Sequence, residues 1–203
     1  MMVKKEIFTM ESKKLNAKDL IHVGVYAAIY IVLFFTVGMI NAIPFLYPLL
    51  FILVPLITGI PFMLFLTKVE KFGMVSIMSV IIGLFWYIMG YTWIPTLSFI
   101  LMGIIADIVM KSGGYKKFRI NMIGFWFFSC SMIGIPAPMW LMTKSYMAGV
   151  REAMGEQYVM EVSKYMPPWM GLAAIGIILI SSSIGTLLGR KMLKKHFERA
   201  GIA

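Results

Sequence analysis

The residues best suited to covalent chemistry are few, and they lack the neighbours such chemistry needs. Ser181, Ser182 and Ser183 form a run of hydroxyls, but no His or Lys lies in an apolar stretch at comparable depth. A hydroxyl without a base is inert. Cys130 is the single cysteine, so it permits no internal disulfide and suggests no metal cluster. His22 stands at the start of an apolar stretch and reads as a helix-end residue; His196 lies in a basic tail. Asp107 has Lys111 four residues on, the spacing of an ion pair on one helix face. Twenty Met residues read as adaptable packing, with no His-Met array to carry a soft metal. No cofactor and no metal are expected.

Binding chemistry is better represented. Tyr47, Tyr87, Tyr91, Trp93, Trp140, Tyr146, Tyr165 and Trp169 cluster with Asn41, Thr92 and Met139 around the turns of one side of the chain. Tyr and Trp populate membrane interfaces, and they also line small-molecule pockets, where a flat apolar body carries one hydrogen-bonding group. The candidate binding set is Asn41, Tyr47, Tyr87, Tyr91, Trp93, Met139, Trp140, Lys144 and Trp169. Lys144 could hold one carboxylate of a ligand.

The elements that must position these residues are marked by where charge is absent. Leu20–Thr67, Phe72–Ala106, Ile120–Thr143 and Tyr165–Gly189 contain no Asp, Glu, Lys or Arg. A helix needs roughly 20 apolar residues to cross about 30 Å of hydrocarbon, so the chain reads as an integral membrane protein. The first two stretches are too long for one crossing each. Asn41, Pro44 and Pro48 interrupt the first, and Gly90 to Pro95 the second. The expectation is an all-α bundle of six transmembrane helices, near Leu20–Ile40, Leu49–Thr67, Phe72–Gly90, Pro95–Met110, Ile120–Met142 and Trp169–Gly189.

Sixteen of the 19 basic residues fall before helix 1, between helices 2 and 3, between helices 4 and 5, or after helix 6; Lys144, Arg151 and Lys164 are the exceptions. Cytoplasmic loops retain Lys and Arg, which places both termini in the cytoplasm and the protein in the plasma membrane, of bacterial type. The net charge of +10 then faces anionic lipid rather than nucleic acid. The 203 residues make one integral membrane domain, with a cytoplasmic segment at 1–19, an outer amphipathic connection at 143–168 and a cytoplasmic basic tail at 190–203. No cleavable signal peptide is expected. Within the outer connection, Met147, Val150, Met154, Tyr158, Val162 and Tyr165 recur at helical spacing. That segment either lies on the membrane or covers an outward pocket.

Small residues mark close helix contacts in lipid. Ser181, Gly185 and Gly189 form such a ridge on the last helix, with hydroxyls able to bond back to the preceding turn. Gly24 and Ala28, beside Ala27, form another on the first helix, suited either to internal packing or to docking a partner. Asn16, with Asp19 three residues later, is a natural start for that helix.

The run Lys14-Leu15-Asn16-Ala17-Lys18-Asp19-Leu20-Ile21, leading into Gly24-Val25-Tyr26-Ala27-Ala28-Ile29-Tyr30, resembles the substrate-binding S components of energy-coupling factor (ECF) transporters, in particular the Trep_Strep group. The likeness is specific at helix 1 and general elsewhere. In that family an Ala-x-x-x-Ala motif packs against the coupling subunit; the matching positions here are Gly24 and Ala28, with Gly replacing Ala. The resemblance implies a complex with one coupling transmembrane subunit and two cytoplasmic ATPases. It also implies capture of a micronutrient from outside, followed by tilting of the S component in the membrane. The absence of deep ionisable groups agrees with a protein that borrows its energy, since proton relays and sodium sites place such groups within the bilayer. The chain itself is then not an enzyme. A vitamin-like ligand is expected, with a flat aromatic or tetrapyrrole compound suiting the Tyr/Trp/Met surface. A self-sufficient facilitator or channel and a ligand-free structural subunit are the rival readings.

Overall fold

The computed structural model describes residues 14–69 and 71–199, with side chains through residue 195. The expected segment before Lys14, the side chains from His196 onward and residues 200–203 lie outside that description.

Helix α1 (Ala17–Gly38) begins where the sequence places it. The Asn16 side chain accepts from the Asp19 amide at 2.9 Å, and Asp19 Oδ2 accepts from the Asn16 amide at 2.9 Å. This reciprocal cap satisfies two of the free amides at the helix start. Lys71 Nζ reaches Asp19 Oδ2 at 2.7 Å and ties the start of α1 to the turn before Met74. Val23, Ala27, Tyr30 and Phe34 form the buried stripe of α1. Gly24 and Ala28 therefore stand on its open side, whereas Ala27 is inside the core.

Two short 3-10 turns, Met39–Ala42 and Pro44–Leu49, lead into α2 (Leu50–Leu66). Helix α2 is apolar around its whole circumference and buried on several sides, the pattern of a central helix. Helices α3 (Met74–Ile88), α4 (Trp93–Ser112) and α5 (Phe118–Cys130) follow. Phe62 of α2 sits between Phe125 and Phe128 of α5 with ring centroids 4.6 and 4.7 Å apart, and Tyr30 meets Phe128 edge-on at 5.4 Å. Tilted and edge-on ring pairs of this kind add to the burial they share.

The fifth expected helix is not continuous to Met142. It stops at Cys130, continues as a 3-10 turn (Ser131–Gly134), and resumes as a short α6 (Ala137–Leu141). Pro136 and Pro138 have no amide to donate, so a continuous helix cannot be hydrogen-bonded through them. The outer connection likewise divides into α7 (Thr143–Met154) and α8 (Glu156–Tyr165). The corner is Gly155 at φ +87°, a backbone state that costs glycine little. Arg151 and Glu156 form an ion pair across that corner.

Helix α9 (Met170–Arg199) runs past Gly189, so the start of the basic tail is a continuation of the helix. It crosses α2 at the expected ridge: a Cβ on Gly185 would lie 2.5 Å from the Pro55 carbonyl oxygen, and one on Gly59 would lie 2.7 Å from Gly185. Ser182 and Ser183 donate to the carbonyls of Ile178 and Leu179, four residues back, at 2.6 and 2.7 Å. These hydroxyls are structural.

Four helical segments among the described residues are long and apolar enough to cross a bilayer: Ala17–Ala42, Pro44–Leu66, Trp93–Ser112 and Met170–Lys195. Helix α3 is apolar and shorter. The exterior carries large exposed apolar side chains such as Val32, Leu101, Ile108, Leu172 and Ile180. Surface of that kind is stable against hydrocarbon and not against water.

Candidate functional site

The two ends of the bundle differ in chemistry. At one end Asp107, near the end of α4, is fully buried. It accepts from the Gly73 amide at 2.9 Å, from the Ser76 amide and hydroxyl at 3.0 and 2.8 Å, and from the Tyr115 hydroxyl at 2.6 Å. The expected pairing with Lys111 does not form. Lys111 Nζ instead lies 4.8 Å from the Phe72 ring centre. Asp107 caps the start of α3, where free amides and the helix dipole favour a carboxylate. Asn121 Nδ2 donates to the Tyr115 carbonyl at 2.8 Å and extends the network to α5. Burial, reinforced by the hydrogen bond to Asp107, raises the Tyr115 hydroxyl well above its ordinary value.

The opposite end holds a chamber of about 160 Å³, or about 650 Å³ when space open to solvent is counted. Phe34, Phe35 and Gly38 from the end of α1 form one wall, with Met39 and Asn41 from the turn that follows. Tyr47, Leu50 and Phe51 come from the entry to α2, and Trp86 and Tyr91 from the α3–α4 corner. Met132, Ile135 and Pro136 complete the wall, presented by the break after α5. Trp86 is packed edge-on against Phe34 at 5.0 Å and Tyr91 at 5.1 Å, which holds its ring in one orientation.

Asn41, Tyr47 and Tyr91 also line a wider vestibule of about 1210 Å³, counting space open to solvent. Its other wall is α7, through Tyr146, Gly149, Val150 and Ala153, with Tyr158 from α8. Tyr158 donates to the Asn41 carbonyl at 2.8 Å, and Val159, Val162 and Met166 are buried beneath α8. The two amphipathic helices therefore sit over the mouth of the chamber. Burial raises the hydroxyls of Tyr91, Tyr146 and Tyr158 above the ordinary phenol value; for Tyr146 the rise reaches about 12, helped by the neighbouring Tyr91 and Tyr158.

Among the described residues, no charged side chain lines either space. Two wall residues carry buried polar atoms without a hydrogen-bond partner among the described residues: Trp86 Nε1 and Thr92 Oγ1. Trp86 is only 4% exposed, so water does not serve that N–H freely. A buried donor left unpaired costs about 1–3 kcal/mol, and a ligand that accepts from it recovers that cost.

Of the nine expected binding residues, Asn41, Tyr47, Tyr91 and Met139 line the chamber or vestibule. Tyr87, Trp93 and Trp169 are more than half exposed and line neither. Trp140 donates to the Met166 carbonyl at 2.9 Å and packs on Gly171, which makes it a strut. Lys144 is exposed on the first turn of α7 and faces neither space. Phe34, Trp86, Met132, Ile135 and Pro136 are wall residues absent from that set. A signal for Trp86 was present: Val75, Ser79, Ile82 and Trp86 recur at helical spacing on the buried face, which puts Tyr87 on the outer one.

A family model described as "Hypothetical bacterial integral membrane protein (Trep_Strep)" matches residues 17–199. No curated protein and no solved structure matches the chain.

Proposed function

The chain belongs to the Trep_Strep family of bacterial integral membrane proteins, and from that premise we propose that it is the substrate-capturing membrane subunit of an ATP-driven, ECF-type micronutrient importer. In this reading α3 and the broken fifth segment also cross the bilayer, giving six crossings with both termini in the cytoplasm. The chamber then opens outward and the basic end faces inward. The observation that carries the reading is the chamber itself: an aromatic space with no charged lining among the described residues, continuous with the wider vestibule, and with an unpaired Trp86 Nε1–H in its wall. Its chemistry selects an uncharged, flat ligand with a hydrogen-bond acceptor. A carboxylate buried there would meet no cation, which disfavours acid-bearing tetrapyrroles.

Energy comes from partners, a coupling transmembrane subunit and two cytoplasmic ATPases, and the chain performs no catalysis of its own. Among the described residues no group of three or more His, Cys, Asp or Glu could hold a metal ion, and Asp107 is engaged in helix capping. Gly24 and Ala28 lie on the open side of α1, where a Cβ on Gly24 would meet nothing within 4 Å. That open face is the proposed docking stripe. Ala27, inside the core, supports it only from behind.

The test is a melting-temperature screen of the purified chain against neutral vitamins and nucleobases, with acid-bearing haem as the contrast and Trp fluorescence as second readout. A neutral flat compound should stabilise the wild type. Trp86→Phe keeps the ring packing and should weaken that ligand about 10-fold, the worth of one buried hydrogen bond. Stabilisation by none of the panel, or equal affinity in Trp86→Phe, would refute the assignment of this chamber.

A further inference from the structure

A second candidate region lies at the basic end, where α9 faces α5 and the end of α2. Two adjoining clefts share Phe118 and Arg190. One runs from Lys117, Arg119 and Arg190 down to Met122, Ser183 and Leu187. The other passes Lys116 and ends against Asn121. Arg190 lies over the Phe118 ring, its guanidinium carbon 4.5 Å from the centre. Lys116, Lys117, Arg119 and Arg190 have no ion-pair partner among the described residues. Asp107, the carboxylate closest along the network, is held by Tyr115, Gly73 and Ser76. The start of α5 carries no side-chain cap. Cations, free amides and a ring-held guanidinium together suit a phosphate.

Asn121 adds a requirement that a bare phosphate does not meet. It is 4% exposed, and its amide orientation is set by Nδ2 donating to the Tyr115 carbonyl. That leaves Oδ1 as a buried acceptor with no donor among the described residues. Because the two clefts adjoin at Phe118 and Arg190, one ligand with a phosphate and a donor can serve both. A hydroxyl-bearing phosphodiester supplies both. An ethanolamine headgroup would also donate, but its ammonium would sit among four cations.

The cleft continues along the bundle as a lipid chain does. Ser183 to Arg190 spans about 10 Å of α9, and Leu187 and Leu188 are exposed beside it. We infer that the α5–α9 cleft is a binding site for an anionic phospholipid with a hydroxylated headgroup, of the phosphatidylglycerol kind. Arg190, Lys117 and Arg119 take the phosphate, Asn121 Oδ1 takes a headgroup hydroxyl, and an acyl chain lies on Met122 and Leu187. The site is separate from the aromatic chamber and does not rest on the transport reading.

The experiment uses the full chain in neutral-detergent micelles doped with dioleoyl phosphatidylglycerol, phosphatidylmethanol or phosphatidylcholine. Retained lipid is counted by native mass spectrometry, and the melting midpoint is followed. Phosphatidylmethanol has the same phosphodiester charge and no hydroxyl, so this comparison needs no variant. Phosphatidylglycerol should be retained several-fold more than phosphatidylmethanol, and phosphatidylcholine least. Arg190→Gln and Lys117→Gln should each weaken phosphatidylglycerol about fivefold. Equal retention of the two anionic lipids, or unchanged retention in both variants, would overturn the site. Glycerophosphoglycerol, the headgroup without chains, should fail to stabilise at equal concentration; stabilisation equal to the lipid's would overturn the lipid as its source.

Discussion

Asp107 shows how one residue can hold two helices and a loop together without any charge partner. Its carboxylate answers four donors, two of them amides at the start of α3. Replacing it with Ala leaves the Tyr115 hydroxyl buried and unpaired and the Gly73 and Ser76 donors without their partner, and the expected loss is ~3–5 kcal/mol. Asp107→Asn keeps one acceptor oxygen and should lose less than half as much. Unfolding in mixed micelles measures both, and equal losses would contradict the capping role. Tyr146 carries the second residue-scale prediction. Its folded value is raised from 10.0 to about 12, chiefly by burial. Below pH 10 the phenol is neutral in folded and unfolded chains alike, and the closed arrangement keeps its full stability. As pH rises from about 10 to about 12 the unfolded form ionises first, so stability is lost across that window. Hydrogen exchange of α7 and α8 should accelerate there, and Tyr146→Phe should blunt the change. Trp86 was within reach of sequence reading at this scale, because periodicity separates it from Tyr87. The unpaired state of its N–H was not, since hydrogen-bond satisfaction depends on which helices surround it.

The packing of α9 on α2 depends on absent side chains. A Cβ on Gly185 would overlap the Pro55 and Leu56 carbonyl oxygens, whereas one on Gly176 would meet nothing within 4 Å. Gly185→Ala should therefore cost ~1–3 kcal/mol by forcing the helices apart. Gly176→Ala should be neutral or stabilising by up to ~1 kcal/mol, through helix propensity. The same substitution on one helix gives opposite signs, so resistance to unfolding by SDS separates the contact from propensity. The ridge was legible from Ser181, Gly185 and Gly189 at their spacing. Its partner was not, because the facing residues Pro55 and Gly59 lie more than a hundred positions away. The break after Cys130 shows the reverse case. Pro136 and Pro138 were visible in the sequence, yet the charge-free run concealed that the chain bends there to make a chamber wall.

At the scale of the whole molecule, the basic and aromatic ends are joined by an apolar body. The proposed orientation makes a labelling prediction. In a Cys130→Ala background, Cys introduced at position 144 should react with an impermeant maleimide on intact cells. Cys at position 116 should react only after the membrane is opened. The reverse pattern would invert the assignment of inside and outside. The docking proposal is also a statement about the whole molecule. Gly24→Leu with Ala28→Leu fills the open face of α1 and should abolish co-purification with a coupling subunit while leaving chamber ligands bound. Co-purification that survives both changes would move the interface elsewhere.

The sequence by itself determined the apolar helices, the Asn16 start of α1, the close ridge on α9 and the segregation of basic residues. Each follows from local composition or spacing, and hydrocarbon leaves little freedom in how such segments satisfy their backbones. Only the tertiary structure decided which aromatic residues share a cavity, that Asp107 caps α3 and leaves Lys111 aside, and that Asn121 Oδ1 ends unpaired beside Arg190. Those outcomes depend on which distant segments meet, and contacts between α1, α3 and the broken fifth segment are written in no single stretch of chain.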